Sequence, residues 1–437
     1  MKKNFVCCLL LLFIACKQKQ RDAYFNNPKL YSSTVKQLNN VVLENNFPPM
    51  IAARNYVYAC IAGYECMAAG DSSYQSLSGQ IKHLSPMPSP DDSNIDFHLA
   101  ALLAFTKVGN AVTFPEGSLM FYCDDLLKKA DSVGMSEETI NATKRFADTV
   151  TASIIAWSKK DRYGATRGAP KYEFKAKEDL WAPTPPMYAS AVEPYWKKIR
   201  PMVLDTAIMF EIPRPPVYDI QNKNSPYYRA LIEVKNIGDS LTKEQKHIAD
   251  FWDDNPFRMN VSGHVMYATK KFSPAGHWLN IVGIASHHAN ADFSQTVAAY
   301  ALTSIAFFDA FIRAWEEKYK SNYVRPETVI NKHLDPYWRP HIQTPPFSSY
   351  VSGHATNSAA AAEAMTHCFG DQLSFMDTSL VEFNIPARKI ESFRKAAQEA
   401  AMSRLYGGIH YRFDNEEGLK VGRQVGQLVV SRLKMKR

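Results

Sequence analysis

No CxxC pair occurs among the seven cysteines of this 437-residue chain, which argues against the common zinc and dithiol redox sites. No block of five or six like charges appears either. The formal charge of +8 is therefore scattered, and a nucleic-acid partner has little support. A net positive surface still favours the approach of anionic substrates, as an effect on encounter rate rather than identity. Alternating apolar and polar residues, the mark of half-buried strands, are nearly absent. No internal repeat is visible. The apolar run from Phe5 to Ile14 falls far short of the roughly 20 residues that span a bilayer.

What is present begins with a targeting signal. Lys2 and Lys3 precede that apolar run, and small Ala15 stands before Cys16, as at a bacterial lipoprotein processing site, with Phe13 in place of the usual leucine. Residues 1–15 are therefore expected to be a signal peptide, Cys16 the lipid acceptor, and 16–27 a polar tether. The protein is expected to be exported and anchored by lipid alone, at the outer membrane facing the periplasm. Four cysteines then remain in an oxidising compartment: Cys60, Cys66, Cys123 and Cys368. Cys60 and Cys66 lie about 9 Å apart along a helix axis, too far for a disulfide. All four read as small core residues.

The 46% apolar content is ample for a substantial core, and its spacing is helical. Pro48-Pro49 open an apolar stretch that runs to about Ala69, since proline is tolerated at a helix start. Residues 98–112 are rich in Ala and Leu. Ser136 caps a segment whose Ile140, Ala147, Val150, Ile154 and Ile155 recur at helical intervals. Further helices are expected at 243–253, 291–320, 354–368, 387–406 and 414–435. The fold class is all-α. Between about 162 and 227, prolines alternate with Trp181, Tyr188, Tyr195 and Trp196, so this stretch reads as ordered loop packed over the bundle. It joins an amino-terminal helical half, 28–205, to a carboxy-terminal catalytic half, 206–437, whose core is about 291–437.

Three separated fragments carry the chemistry. KYKSNYVRP holds Lys318, Arg325 and Pro326; YVSGHAT holds Ser352, Gly353 and His354; SRLYGGIHYRFD holds Ser403, Arg404, His410 and Asp414. A buried tetrahedral oxyanion needs opposing cations, and two arginine forks with one lysine supply them. Lys318 and Arg325 can share a helix face if the helix continues that far, with Pro326 ending or kinking it. Ser352 and Gly353 precede a helix starting near His354, and a helix start favours an anion. Two histidines suit the opposite sides of a tetrahedral centre. His410 is assigned the covalent or ligand role and His354 the acid–base role, and Asp414 can orient an imidazole.

The spaced triple resembles the motif set of the type 2 phosphatidic acid phosphatase and vanadium haloperoxidase superfamily, K-x6-RP, PSGH and SR-x5-H-x3-D. Val351 replaces the usual proline of the middle motif. The likeness covers about residues 315–414, with softer similarity in FWDDNP and SPAGHW. It implies paired four-helix bundles and an oxyanion site in the carboxy-terminal half. Lys318, Arg325, Ser352, Gly353 and Arg404 would hold vanadate or phosphate. In the haloperoxidases of the superfamily vanadate bonds to the residue matching His410, and peroxide oxidises halide there. In its phosphatases the same residue is phosphorylated, and the one matching His354 protonates the leaving alcohol. Trp315 and Phe347 match aromatics resembling a halide-pocket pair; plain core packing is the alternative. The favoured reading is a vanadate-dependent haloperoxidase acting on peroxide and halide. The alternatives are an acid phosphatase hydrolysing phosphoesters without a cofactor and an idle phosphate-binding lipoprotein.

Other residues read more plainly. A second VSGH, at 261–264, has no SR-x5-H partner at a suitable distance, so His264 is expected to be an ordinary loop or surface residue. Adjacent His287 and His288 point apart on a helix and suit no metal. Asp253 and Asp254 are expected at the surface as helix-end acids; in the other reading one of them holds a site arginine.

Overall fold

The computed structural model describes residues 24–113, 117–256 and 258–437. The signal peptide, Cys16 and most of the tether lie outside the described residues. The fold is all-α, as the periodicity predicts. The amino-terminal half is built from helices Pro28–Glu44, Pro49–Gly70, Phe97–Val112, Ser118–Ser132 and Glu137–Ser158. The carboxy-terminal half is built mainly from Pro226–Asp239, Lys243–Phe251, Pro274–His288, Phe293–Ser321, Gly353–Phe369, Phe393–Tyr406 and Arg412–Arg432. Their starts follow local chemistry. Ser136 accepts from the Thr139 N–H, and Asp292 and Gln295 satisfy each other's backbone in a capping box.

Two long helices lie at the centre. The 49–70 helix is buried without a break from Met50 to Met67, and the 293–321 helix from Thr296 to Lys318. Such all-round apolar helices belong in a core, and these two pack on each other across the boundary between the halves. The 293–321 helix is long and apolar enough to cross a membrane, but its most apolar window is wholly buried in protein. One large hydrophobic core thus draws residues from Phe25 to Met435, beside a small separate cluster of Ala249, Ile342 and Ile409.

The 162–227 stretch is mostly irregular, with one short helix, Tyr163–Arg167, and one tight turn at Trp196–Lys198. It is strapped down, with Trp181 and Trp196 buried. The buried Asp309 carboxylate accepts the successive N–H groups of Met202, Val203 and Leu204 at 2.7, 2.7 and 2.8 Å.

Several sequence expectations need correction. The segment expected to be helical over 387–406 begins as a short strand, Arg388–Ile390, paired with Phe375–Asp377; its helix starts only at Phe393, where the Ser392 hydroxyl caps it. Pro326 opens a helix, Pro326–His333, rather than ending one. The preceding helix has already closed at Asn322, in the left-handed region at φ 49°. Cys60, Cys66 and Cys123 are buried as expected, but Cys368 is exposed, because it lies on the outer face of its helix's last turn. A second hairpin pairs Arg258–Ser262 with Val265–Thr269 and carries the other VSGH at its turn, with His264 exposed there.

The closest helix contact positions the functional site. Helix 412–432 lies along helix 353–369 with Gly418, Gly422 and Gly426 facing it. A Cβ on Gly422 would stand 2.0 Å from the Thr356 carbonyl oxygen, and one on Gly418 would stand 2.8 Å from that of Ser352. Only glycine permits this approach. It brings the start of one helix, Ser352-Gly353-His354, beside the start of the other, His410 to Asp414, where the Ser352 N–H donates to the Asp414 carbonyl at 3.0 Å.

Candidate active site

Lys318, Arg325, Ser352, Gly353, His354, Arg404, His410 and Asp414 converge at this junction. Lys318 and Arg325 do so without sharing a helix face. Lys318 lies in the last turn of one helix, and Arg325 sits across a turn as the residue before the next. Both are fully buried, and backbone carbonyls fix them. Lys318 Nζ donates to the Ser348 and Ser349 carbonyls, each at 2.9 Å. Arg325 donates to the carbonyls of Phe347 and Ile409, each at 2.8 Å, while its Nη2 has no partner. Arg404 donates to the Trp252 carbonyl. Burial pulls all three below their ordinary values. Arg325 falls to about 9, with Arg404 adding to the effect, and Arg325 in turn pushes Lys318 down.

His410 is held between a carboxylate and a cation. Its Nδ1 lies 2.8 Å from Asp414 Oδ2, and Arg325 Nη1 donates to its Nε2 at 3.0 Å. The carboxylate takes the Nδ1–H, so the lone pair is on Nε2, toward the cations. Burial and the charges of Arg325, Lys318 and Arg404 hold the ring well below its ordinary pKa, hence neutral. Asp414 is further held by the Ser349 hydroxyl and the Tyr411 N–H. Its burial raises it to about 6, so it remains ionised at neutral pH. Ser352 caps the 353–369 helix, its hydroxyl accepting from the Ala355 N–H at 3.3 Å. Gly353 leaves room that a Cβ would fill, at 3.0 Å from Trp315 Cζ3 and 3.6 Å from Lys318 Cε.

His354 belongs to a second chain of groups. Its Nε2 lies 3.3 Å from Asp254 Oδ2, a close contact without hydrogen-bond alignment. Asp254 Oδ1 meets His277 Nδ1 at 2.8 Å, and His277 Nε2 meets Asp377 at 3.0 Å. Burial, with Arg404 nearby, pulls His354 down to about 4. Burial alone would also discharge His277, but Asp254 and Asp377 on either side raise it to about 10. Asp254, though buried, is held below the usual carboxylate range by His277 and then His354.

This corrects the surface placement of Asp253 and Asp254, which are 5% and 2% exposed. The turn after the 243–251 helix folds inward instead of ending in solvent, so that Asp254 reaches both histidines. Arg404 contacts the backbone of this turn, at the Trp252 and Asp253 carbonyls. Ser349, His277 and Asn357 were not singled out as site residues from sequence, and Asp254 was weighed only as a partner for a site arginine. SSYVSGH and FWDDNP were visible, but nothing local marks which serine or acid turns inward.

Trp315 and Phe347 pair at 5.0 Å between ring centres and line a cavity of about 400 Å³ that reaches His354, Arg404 and His410. The Lys318 ammonium lies 5.0 Å from the Phe347 ring centre. Both aromatics thus sit at the site rather than in remote core. No cluster of three or more His, Cys, Asp or Glu suited to a bare metal ion exists among the described residues, His287 and His288 included. The donor set instead fits an oxyanion. Three buried cations face one carboxylate, Asp414, since Asp253 is paired with Lys271 and Asp254 with His277; the neutral His410 ring turns its Nε2 lone pair to Arg325 Nη1, and the Arg325 Nη2 is unpartnered.

Comparison with known proteins agrees. Residues 298–436 match the model of the second helical-bundle domain of vanadium chloroperoxidase. The crystal structure of a bacterial vanadium-dependent iodoperoxidase superposes with a TM-score of 0.87 and 39% identity, covering 94% of this chain and 97% of that one. The chain belongs to the vanadium haloperoxidase family. As a family member it is an enzyme of haloperoxidase type. The vanadium chloroperoxidase of Curvularia inaequalis is 27% identical over a stretch covering 29% of this chain and only 28% of that protein's length. A bacterial vanadium-dependent chloroperoxidase in its holo form shares the haloperoxidase fold, with a TM-score of 0.66, 17% identity, and coverage of 88% of this chain and 92% of that one.

Proposed function

We propose that the protein oxidises a halide, iodide first, with peroxide at a vanadate held between Lys318, Arg325, Arg404 and His410. The observation that carries this reading is the surplus of buried positive charge around a neutral His410 whose lone pair faces it. The match over nearly the full length of an iodoperoxidase supports iodide as the first halide. When bound, vanadate supplies the Lewis-acidic centre at which peroxide is activated.

The chain's own residues do the rest. The three cations neutralise the oxyanion, and the helix start at Ser352-Gly353 faces it with backbone N–H groups. His410 holds it through Nε2 while Asp414 keeps the Nδ1 proton. His354, neutral at ambient pH, takes a proton from incoming peroxide and returns it to the oxygen that leaves as water. Asp254 stabilises the charged ring meanwhile. Lipid attachment at Cys16 would place this chemistry outside the cytoplasm, and radiolabelled fatty acid should appear on the wild type and not on Cys16→Ser.

The test uses purified protein stripped of bound anions. Added orthovanadate should produce triiodide from iodide and peroxide, and His410→Ala should abolish it. Phosphoester hydrolysis without vanadate, inhibited when vanadate is added, would instead make this a phosphatase acting through phosphohistidine.

A further inference from the structure

The cavity beside the oxyanion site is larger and more apolar than peroxide and halide require. Its volume of about 400 Å³ is that of a small-molecule pocket. Its lining includes the polar His354, Arg404 and His410, and an apolar wall gathers Phe47, Pro185, Met187, Phe311, Trp315 and Phe347 from four separate parts of the chain. Hydrated ions gain nothing from such a wall, whereas an aromatic ring gains by burial and by edge or offset contacts.

Asn357 adds a specific feature to the same cavity. It lies one turn after His354 on the 353–369 helix, so the two share a face. Asn357 lines the cavity and is 1% exposed, yet both its amide nitrogen and oxygen lack a partner. A buried amide is unfavourable unless something pairs with it; Asn55 and Asn415 are buried in the same state, but of the three Asn357 is the one that lines this cavity. Its two donors and two lone pairs suit a hydroxyl or a ring N–H in either orientation.

We propose that this cavity binds the organic acceptor of the halogen, an electron-rich aromatic bearing one hydroxyl or N–H, with Asn357 holding that group and the apolar wall holding the ring. This rests on the haloperoxidase reading. Halide, peroxide and a proton give hypohalous acid and water. The bound ring then forms its carbon–halogen bond as the oxygen–halogen bond breaks, and the displaced ring proton leaves with the hydroxide as a second water. Transfer inside the cavity fixes which ring carbon meets the halogen.

The test is equilibrium binding of phenol and of toluene, its near-isostere without the hydroxyl, to vanadate-free protein, followed by the fluorescence of Trp315 and its neighbours and by calorimetry. Wild type should bind phenol saturably, and Asn357→Leu should shift the phenol-to-toluene affinity ratio by about tenfold toward toluene. Asn357→Ser, smaller and still polar, should keep part of the preference and guards against loss of the fold in the leucine variant. Met187→Trp at the exposed rim should weaken both ligands together. No saturable phenol binding, or a ratio unchanged in Asn357→Leu, overturns the acceptor site. Triiodide formation without any acceptor, measured separately, reports on the haloperoxidase reading alone.

Discussion

An imidazole that offers a lone pair to a central atom needs its other nitrogen protonated and held, and Asp414 does this for His410 at 2.8 Å. Asp414→Ala should therefore weaken orthovanadate binding about 10–100-fold, measured by equilibrium dialysis. Unchanged affinity would show that the carboxylate plays no part in holding the anion. At this scale the sequence was informative about charged and reacting groups, because Lys318, Arg325, His354, Arg404 and His410 declare their chemistry by type and spacing. It was silent about the carbonyls of Phe347, Ser348, Ser349 and Ile409 that fix the cations, since every residue has a carbonyl. Asp254 was misplaced for a related reason. An acid at a helix end is ordinarily solvated, and only the partner His277, 23 positions later, makes its burial tolerable.

Among the elements, the contact between helices 353–369 and 412–432 sets the site's dimensions. Gly422→Ala would drive a methyl into the Thr356 carbonyl, a backbone atom that cannot swing aside. It should cost at least about 3 kcal/mol in denaturant titration and reduce anion binding by spreading His354 and His410 apart. Gly164→Ala, with nothing within 4 Å, should change stability by no more than about 0.5 kcal/mol. Equal effects at the two glycines would mean that the helices are not in this contact. The two helices of this contact and the long central ones were legible from periodicity and capping residues, whereas Pro28–Glu44, Ser118–Ser132, Pro226–Asp239, Pro274–His288 and Pro326–His333 were not marked out. Less legible were a left-handed turn at Asn322 and a strand at Arg388–Ile390, because each depends on what the segment meets after folding.

Across the whole molecule, the buried chain His354–Asp254–His277–Asp377 joins four distant segments through two hydrogen bonds and one close contact. His277 has its folded value raised to about 10, above the ordinary 6.5. Its contribution to stability is therefore fully present below about pH 6.5 and is lost as pH rises towards 10. The melting temperature of His277→Gln should fall furthest below wild type at or below pH 6.5, and the gap should narrow by pH 10. A gap that does not vary with pH would mean that His277 is uncharged in the fold. The all-α architecture and the carboxy-terminal position of the site were readable from sequence. The large core shared by both halves was not, because periodicity shows that a helix has an apolar face and not which helix it meets.

One further consequence follows from how the site cations are restrained. Lys318, Arg325 and Arg404 are tied by neutral carbonyls, so an arriving anion displaces no acid hydrogen-bonded to them and meets a field that nearby Asp414, Asp253 and Asp254 offset only in part. That field distinguishes anions by charge and shape, and orthophosphate has nearly those of orthovanadate. On the proposed reading the two compete for one berth, and the ratio of phosphate to vanadate around the cell sets what fraction of the enzyme is in working order.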